Sequence, residues 1–245
     1  MSMPVQIVEI LHRSNQGITR PFLCKGDDDN SYFVKGRGAG RRSLISEYIC
    51  GNLAKSLNLP VADFEIVDVP SELMQWADTE TKRDLGTGLA FASRALPHTQ
   101  EFNMSLQALV DVRLRRDILV FDWWVHNADR TLTELGGNPN LLWDQVDKKL
   151  VVIDHNQAFD REFNPTNFSH THVFKNEIKH TFNDMVERLA YTDRLSLAFA
   201  DFDSTCDNIP LEWWWIDDGV PADFSIEATR LQLGRFLDNQ FWRIV

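Results

Sequence analysis

Four charged residues fall in an order that suits phosphoryl transfer. Lys35 ends the run SYFVK, Glu47 lies in a helical stretch that follows, Asp129 sits in the polar loop HNADR, and Asp154 follows the apolar run VVI. That reaction needs a cation on the phosphates, a carboxylate to take the proton of the attacking hydroxyl, and hard oxygen ligands for magnesium. Asn140, just before Leu-Leu-Trp, and Asp154, just after Val-Val-Ile, would supply an amide and a carboxylate at adjacent ends of one hairpin.

Each residue taken alone has a blander explanation. On a strand Lys35 shares a face with Ser31 and Phe33, and a lysine reaching inward from there needs an anion. Glu47 shares a helical face with Leu44, Gly51 and Ala54 and is the nearest downstream candidate. An edge-strand lysine and a surface glutamate are the more ordinary reading of that pair. The residues of the polar loop also suit turns for backbone reasons alone.

The elements that must position these groups follow from periodicity. Alternation and turn residues predict strands at Gln6–Leu11, Phe22–Lys25 and Ser31–Lys35, a helix over Ser43–Leu57, extended chain over Val61–Val69 and a strand at Leu89–Arg94. Beyond Pro97 a long helix is expected over Leu106–His126, then a Gly/Asn/Pro loop and a hairpin of Leu141–Trp143 with Leu150–Ile153. The remainder reads as helical from about Val173, ending in helices near Pro210–Asp217 and Pro221–Phe241. This is an α+β chain, strand-rich in front and helix-rich behind.

The 245 residues carry a formal charge of −11, which argues against a direct nucleic-acid binder, and 43% hydrophobic residues, which excludes a disordered polymer. Apolar runs all fall short of the roughly 20 residues of a spanning helix. The opening MSMPVQIVEI lacks the basic stretch and long apolar core of a secretory signal. Cys24, Cys50 and Cys206 are too few and too scattered for a disulfide framework or zinc cluster, so a cytoplasmic location is expected.

In this order, VHNADR, NPNLLW and LVVIDHNQAF, with SYFVKG and SEYICGNLAKSLNLP before them, resemble the HipA-like kinases, a family distantly similar to phosphatidylinositol kinases and protein kinases. The resemblance covers most of the chain up to about Phe159. It implies a two-lobed kinase-like fold with a sheet lobe at 1–96 and a helical lobe at 97–245, and ATP with magnesium between them. By the same resemblance Lys35 holds the α and β phosphates, Glu47 pairs with it, Asp129 is the catalytic base, and Asp154 and Asn140 bind magnesium. A protein Ser or Thr would be the acceptor, with a lipid or small molecule as the alternative. An antitoxin-type protein partner is open, as is a catalytically silent interaction module.

Two features depart from the family. Its metal-binding asparagine commonly stands five residues after the catalytic aspartate, where this chain has Glu134. Asn138 and Asn140 stand further on, so TELGG reads as an insertion and either asparagine could reach the metal, with Asn140 favoured because it abuts the hairpin. The phosphate-covering loop would be Ser14, Asn15, Gly17 and Thr19, with a single glycine and no GxGxxG. The rival segment Gly36–Arg42 follows a strand and opens a helix, the setting of a dinucleotide loop, yet its GxGAG spacing falls short and no parallel sheet follows. His155 is placed to orient Asp154, and His170 and His172 lack the companions of a zinc site. Of Trp213, Trp214 and Trp215, at least one is expected to face outward.

Overall fold

Alternating burial along the first strands curls them into a closed barrel. In the computed structural model, which describes residues 3–14 and 20–244, the strands are β1 (Val5–Arg13), β2 (Phe22–Gly26), β3 (Ser31–Lys35), β4 (Phe64–Val69) and β5 (Gly88–Arg94). They close in the order β1-β2-β3-β5-β4. All neighbours are antiparallel except β1 and β4, where Val5 pairs with Val67. Tyr32 and Val34 point inward with Ile7, Phe22, Cys24 and Val67, and Met74 and Leu85 complete that core. Lys35 therefore falls on the outer side of the barrel wall, opposite Phe91.

Helix α1 (Arg41–Ser56) buries Leu44, Ile45, Ile49, Cys50 and Leu53, nearly its whole circumference, as a helix enclosed by its own protein must. Tyr48 meets Phe64 edge-on at 6.2 Å, and Phe64 stacks on Phe91 at 5.5 Å, across the outer wall of β4 and β5. The chain forms two compact units that are not consecutive stretches. The first joins residues 1–48, 62–97 and 209–224; the second joins 49–61, 98–208 and 225–245.

The second unit is helical: α4 (Val112–Trp124), α5 (Pro165–Thr171), α6 (Ile178–Phe182), α7 (Met185–Ala200), α8 (Phe202–Asp207) and α9 (Ile226–Leu233), the first barrel unit holding the shorter α2 (Ser71–Gln75) and α3 (Thr79–Asp84). Strands β6 (Thr99–Glu101), β7 (Leu141–Asp144) and β8 (Lys149–Val152) make a small antiparallel sheet beside these helices. The aromatic load fills this interior. Trp123 and Trp124 are both buried and donate their indole N–H groups to the carbonyls of Phe241 (2.9 Å) and Leu233 (2.7 Å). Among the described residues no helix is long and apolar enough to cross a membrane.

Three sequence expectations are corrected. The helix expected over Leu106–His126 is broken: Met104–Leu109 is a 3-10 turn, Val110 is extended, and α4 begins after Asp111, whose carboxylate caps the amides of Arg113 and Leu114. The helix near Pro210–Asp217 is a 3-10 turn (Leu211–Trp214) followed by a hairpin of Trp215–Asp217 with Val220–Pro221. Asp218-Gly219 is a tight-turn pair, with Gly219 at φ 72°, and it overrides any helical tendency. The last helix is short, Ile226–Leu233, because Ser225 caps its start. Trp213 is fully buried, while Trp215 is 47% exposed.

Gly36 and Gly38 serve packing. A side chain on Gly36 would stand 2.0 Å from the Leu85 carbonyl oxygen, and one on Gly38 would stand 2.8 Å from Asp84. Arg37 N–H also donates to that Leu85 carbonyl (3.2 Å), so the segment lies against the chain leaving α3. Gly36→Ala is expected to lose roughly 2–3 kcal/mol of stability by overpacking. Gly40→Ala, with a left-handed φ of 82° and open space around it, should lose only about 1 kcal/mol. Urea unfolding of the two variants checks this, and equal losses would contradict it.

Candidate active site

In the barrel unit, the end of β3 and the second turn of α1 bring Lys35 and Glu47 together. The ammonium of Lys35 contacts Glu47 Oε1, and the two residues are 8% and 3% exposed. The blander reading of an edge lysine and a surface glutamate is thereby overturned. Removing one member of such a buried pair leaves an uncompensated charge, at roughly 3–5 kcal/mol.

Beside Lys35 lies a small pocket that Arg13, Arg20, Phe22, Gly36 and Asp84 also line. Arg13 is already engaged there by Glu80 (2.5 Å) and Asp84 (2.7 Å). The Ser14 N–H donates to the Pro21 carbonyl (2.8 Å). Asn15, Gly17 and Thr19 lie outside the described residues.

In the helical unit the loop after α4 is built on one buried carboxylate. Asp122 is fully buried and accepts four bonds: Asn127 Nδ2 (2.8 Å) and Arg130 Nη2 (3.4 Å) on Oδ1, and Arg130 Nε (2.7 Å) and His172 Nε2 (3.0 Å) on Oδ2. Burial pushes this carboxyl up, but the Arg130 guanidinium and the His172 bond outweigh it and hold it down at about 2. His172 Nδ1 accepts from the Phe174 N–H (3.1 Å), so the neutral ring carries its proton on Nε2, toward Asp122. Burial depresses the basicity of His172 more than Asp122 restores it.

The far side of Arg130 ties the loop to the hairpin. Its Nη1 donates to the carbonyls of Asn140 (2.5 Å) and Ile153 (3.2 Å), and Ile153 N–H donates to the same Asn140 carbonyl (3.1 Å). Asn140 enters β7 and Asp154 leaves just beyond β8, so one guanidinium fixes the backbone at both ends of the hairpin. Both residues are left-handed, with φ 48° and 56°.

Asp129, directly before Arg130, is held through its side chain. Its Oδ2 accepts from Asn138 Nδ2 and Asn140 Nδ2, each at 2.8 Å. With the amide nitrogen of Asn140 committed to Asp129, its amide oxygen is the ligating end. An amide oxygen and a carboxylate at one hairpin end form a donor set of the hard-oxygen kind that magnesium takes. The Asn156 amide reaches Asp154 Oδ1 (3.3 Å), and buried His155 packs edge-on to Phe121 (5.6 Å). His170 Nδ1 is engaged by the Thr166 carbonyl, away from the contacts of His172.

Thus Lys35 meets Glu47 in one unit, and Asp129, Asn138 and Asn140 meet in the other, with Asp154 at the same hairpin end. Sequence reasoning missed Asp122, Arg130 and His172. A signal existed for Asp122, the lone charge in the apolar run ILVFDWW, since a carboxylate buried there must be paired. His172, fifty residues away, offered none.

Acid should weaken the unit through its histidines. His126, stacked on Phe163 at 4.3 Å, is held down at about 3 by burial and by Arg235, and His172 is lowered too. Below about pH 6.5 the unfolded chain takes up protons that these folded rings refuse, so stability falls, by at most about 1.4 kcal/mol per pH unit for each ring. Asp122, still ionised in the folded state, adds a further loss as pH falls from about 4 toward about 2. Urea midpoints should drop between pH 7.5 and 5, and less steeply in His126→Phe. Parallel pH slopes for wild type and variant would refute the assignment.

With this geometry in hand, comparisons place the chain. Its structure is similar to that of the proinflammatory kinase CtkA of Helicobacter pylori, with a TM-score of 0.55 and 11% identity over 98% of each chain, a likeness that shows the fold. No curated protein matches the sequence. The profile of the HipA-like kinases matches residues 7–245, and the chain belongs to that family.

Proposed function

We propose that the protein is an ATP- and magnesium-dependent phosphotransferase that moves the γ-phosphoryl group of ATP onto a protein Ser or Thr hydroxyl. The observation that carries this reading is the Asp129 carboxylate, anchored by two amides beside a hairpin end that also bears Asp154. In this reading the two lobes divide the work: residues 1–96 bind phosphates and residues 97–245 carry the transfer chemistry. Lys35, paired with Glu47, neutralises the phosphates. Asp129 orients the acceptor hydroxyl and takes its proton as the new oxygen–phosphorus bond forms and the bond to the β-phosphate bridging oxygen breaks. Magnesium, held by Asp154 and the amide oxygen of Asn140, would supply charge neutralisation on the phosphates.

Asn140 is favoured over Asn138 as the ligand because its backbone is fixed by Arg130 and by Ile153, next to Asp154, whereas Asn138 is exposed. Asn138 then serves to orient Asp129.

Label transfer from radiolabelled ATP and calorimetric nucleotide binding test the proposal together. Asp129→Asn should lose transfer by about a thousandfold or more while still binding Mg-ATP. Asn140→Ala should raise the magnesium concentration needed for half-maximal activity. Asn138→Ala should lower turnover at an unchanged magnesium requirement. Mg-ATP binding without any transfer by the wild type would favour an interaction module, and transfer to small hydroxyl compounds alone would exclude a protein acceptor.

A further inference from the structure

The excursion between Asp129 and Asn140 is a built hairpin. Thr131 N–H donates to the Asn138 carbonyl (2.9 Å), and Thr133 and Gly136 exchange N–H to carbonyl bonds at 2.9 and 3.0 Å. The Thr133 hydroxyl donates to the Gly136 carbonyl (3.0 Å) and accepts from the Leu135 N–H (3.3 Å). Gly136 turns the chain at φ 103°, and Gly137 lies so close to Thr131 that a side chain would stand 2.4 Å from its carbonyl oxygen. The base is anchored, since Leu132 is buried and its N–H donates to the Thr171 carbonyl (3.0 Å). At the tip stand Glu134 and Leu135, and Leu135 is 100% exposed.

A single exposed leucine is ordinary. What is unusual here is the support beneath it and its attachment to the proton acceptor. Asn138, in the second arm of the hairpin, donates to the Asp129 carboxylate (2.8 Å). Leu135 is six residues from Asp129, so it stands at most about 20 Å from it along the chain. An extended peptide with its hydroxyl at Asp129 covers that distance in about six residues.

We infer that the hairpin Thr131–Asn138 is the acceptor-docking element, which reads an extended protein segment by taking an apolar side chain against Leu135 and a basic one against Glu134, within about six residues of the phosphorylated hydroxyl. This deepens the kinase reading and rests on it. Glu134 is the one charged residue of the hairpin, so complementarity calls for Lys or Arg.

The test is a positional-scanning library of Ser and Thr peptides with radiolabelled ATP, run on the full chain alongside calorimetric Mg-ATP binding. The wild type should select an apolar residue at one fixed position and a basic residue near it. Leu135→Asp should lose the apolar selection and raise KM for the selected peptide about tenfold, with kcat within about twofold. Glu134→Lys should exchange the basic preference for an acidic one. A flat wild-type profile, or variants that keep the wild-type profile, would overturn the inference and leave the kinase reading standing. Absence of both Mg-ATP binding and transfer would overturn the two together.

Discussion

The buried contact between Arg130 and Asp122 is the constraint on which the helical unit's candidate site depends. A carboxylate and a guanidinium with no exposure are stable only if their remaining hydrogen-bonding groups are satisfied, and here they are. Asn127 and His172 complete the shell of Asp122, while the outer side of the guanidinium is filled by backbone carbonyls. Because those carbonyls belong to Asn140 and Ile153, the same satisfaction that permits burial also sets the spacing of the hairpin ends. A lysine could neutralise Asp122, but it lacks the planar fork that reaches α4 on one side and two carbonyls on the other.

The barrel unit solves a similar problem with fewer parts. Lys35 is carried by a strand whose next neighbours, Tyr32 and Val34, are locked into the barrel core. Glu47 is carried by a helix enclosed by apolar side chains. Both partners are therefore placed by regular structure, and neither relies on a loop. The helical unit, by contrast, holds Asp129 on a loop and must stiffen that loop with buried charge. Rigid elements position more tightly than loops do, and the extra network around Asp122 makes up that difference.

Much of the fold was legible because period and burial agree. SYFVK alternates inward and outward as a strand should, and LLW with KLVV pair as the expected hairpin. The residues brought together, Lys35 with Glu47 and Asp129 with Asn138 and Asn140, stand out in the sequence by type and order. Legibility failed where a local signal competed with period. Asp111 interrupts a run that is apolar-periodic from Leu106 to His126, and its cap sets the helix start. The strand Thr99–Glu101 has no pattern of its own and exists because it pairs with β7. Neither the Asp122–His172 contact nor the packing of Gly36 against Leu85 leaves a trace in nearby sequence, since both depend on tertiary approach.

The hardest ambiguity in the sequence has a physical origin. Among the described residues, His126, Asn140, Asp154 and Phe159 all adopt left-handed backbone, φ 48° to 59°, around this one loop and hairpin. Asn and Asp tolerate that conformation better than other side chains do, because their short polar groups bond locally. They are also the residues that offer magnesium hard oxygens. Turn chemistry and metal chemistry therefore select the same letters, and no reading of letters separates them. What separates them is over-determination: a turn needs only its own backbone, whereas Asn140 is held by Arg130, by Ile153 and, through its amide, by Asp129. In the proposed reading, that over-determination is what holds the Asn140 amide oxygen ready for a metal.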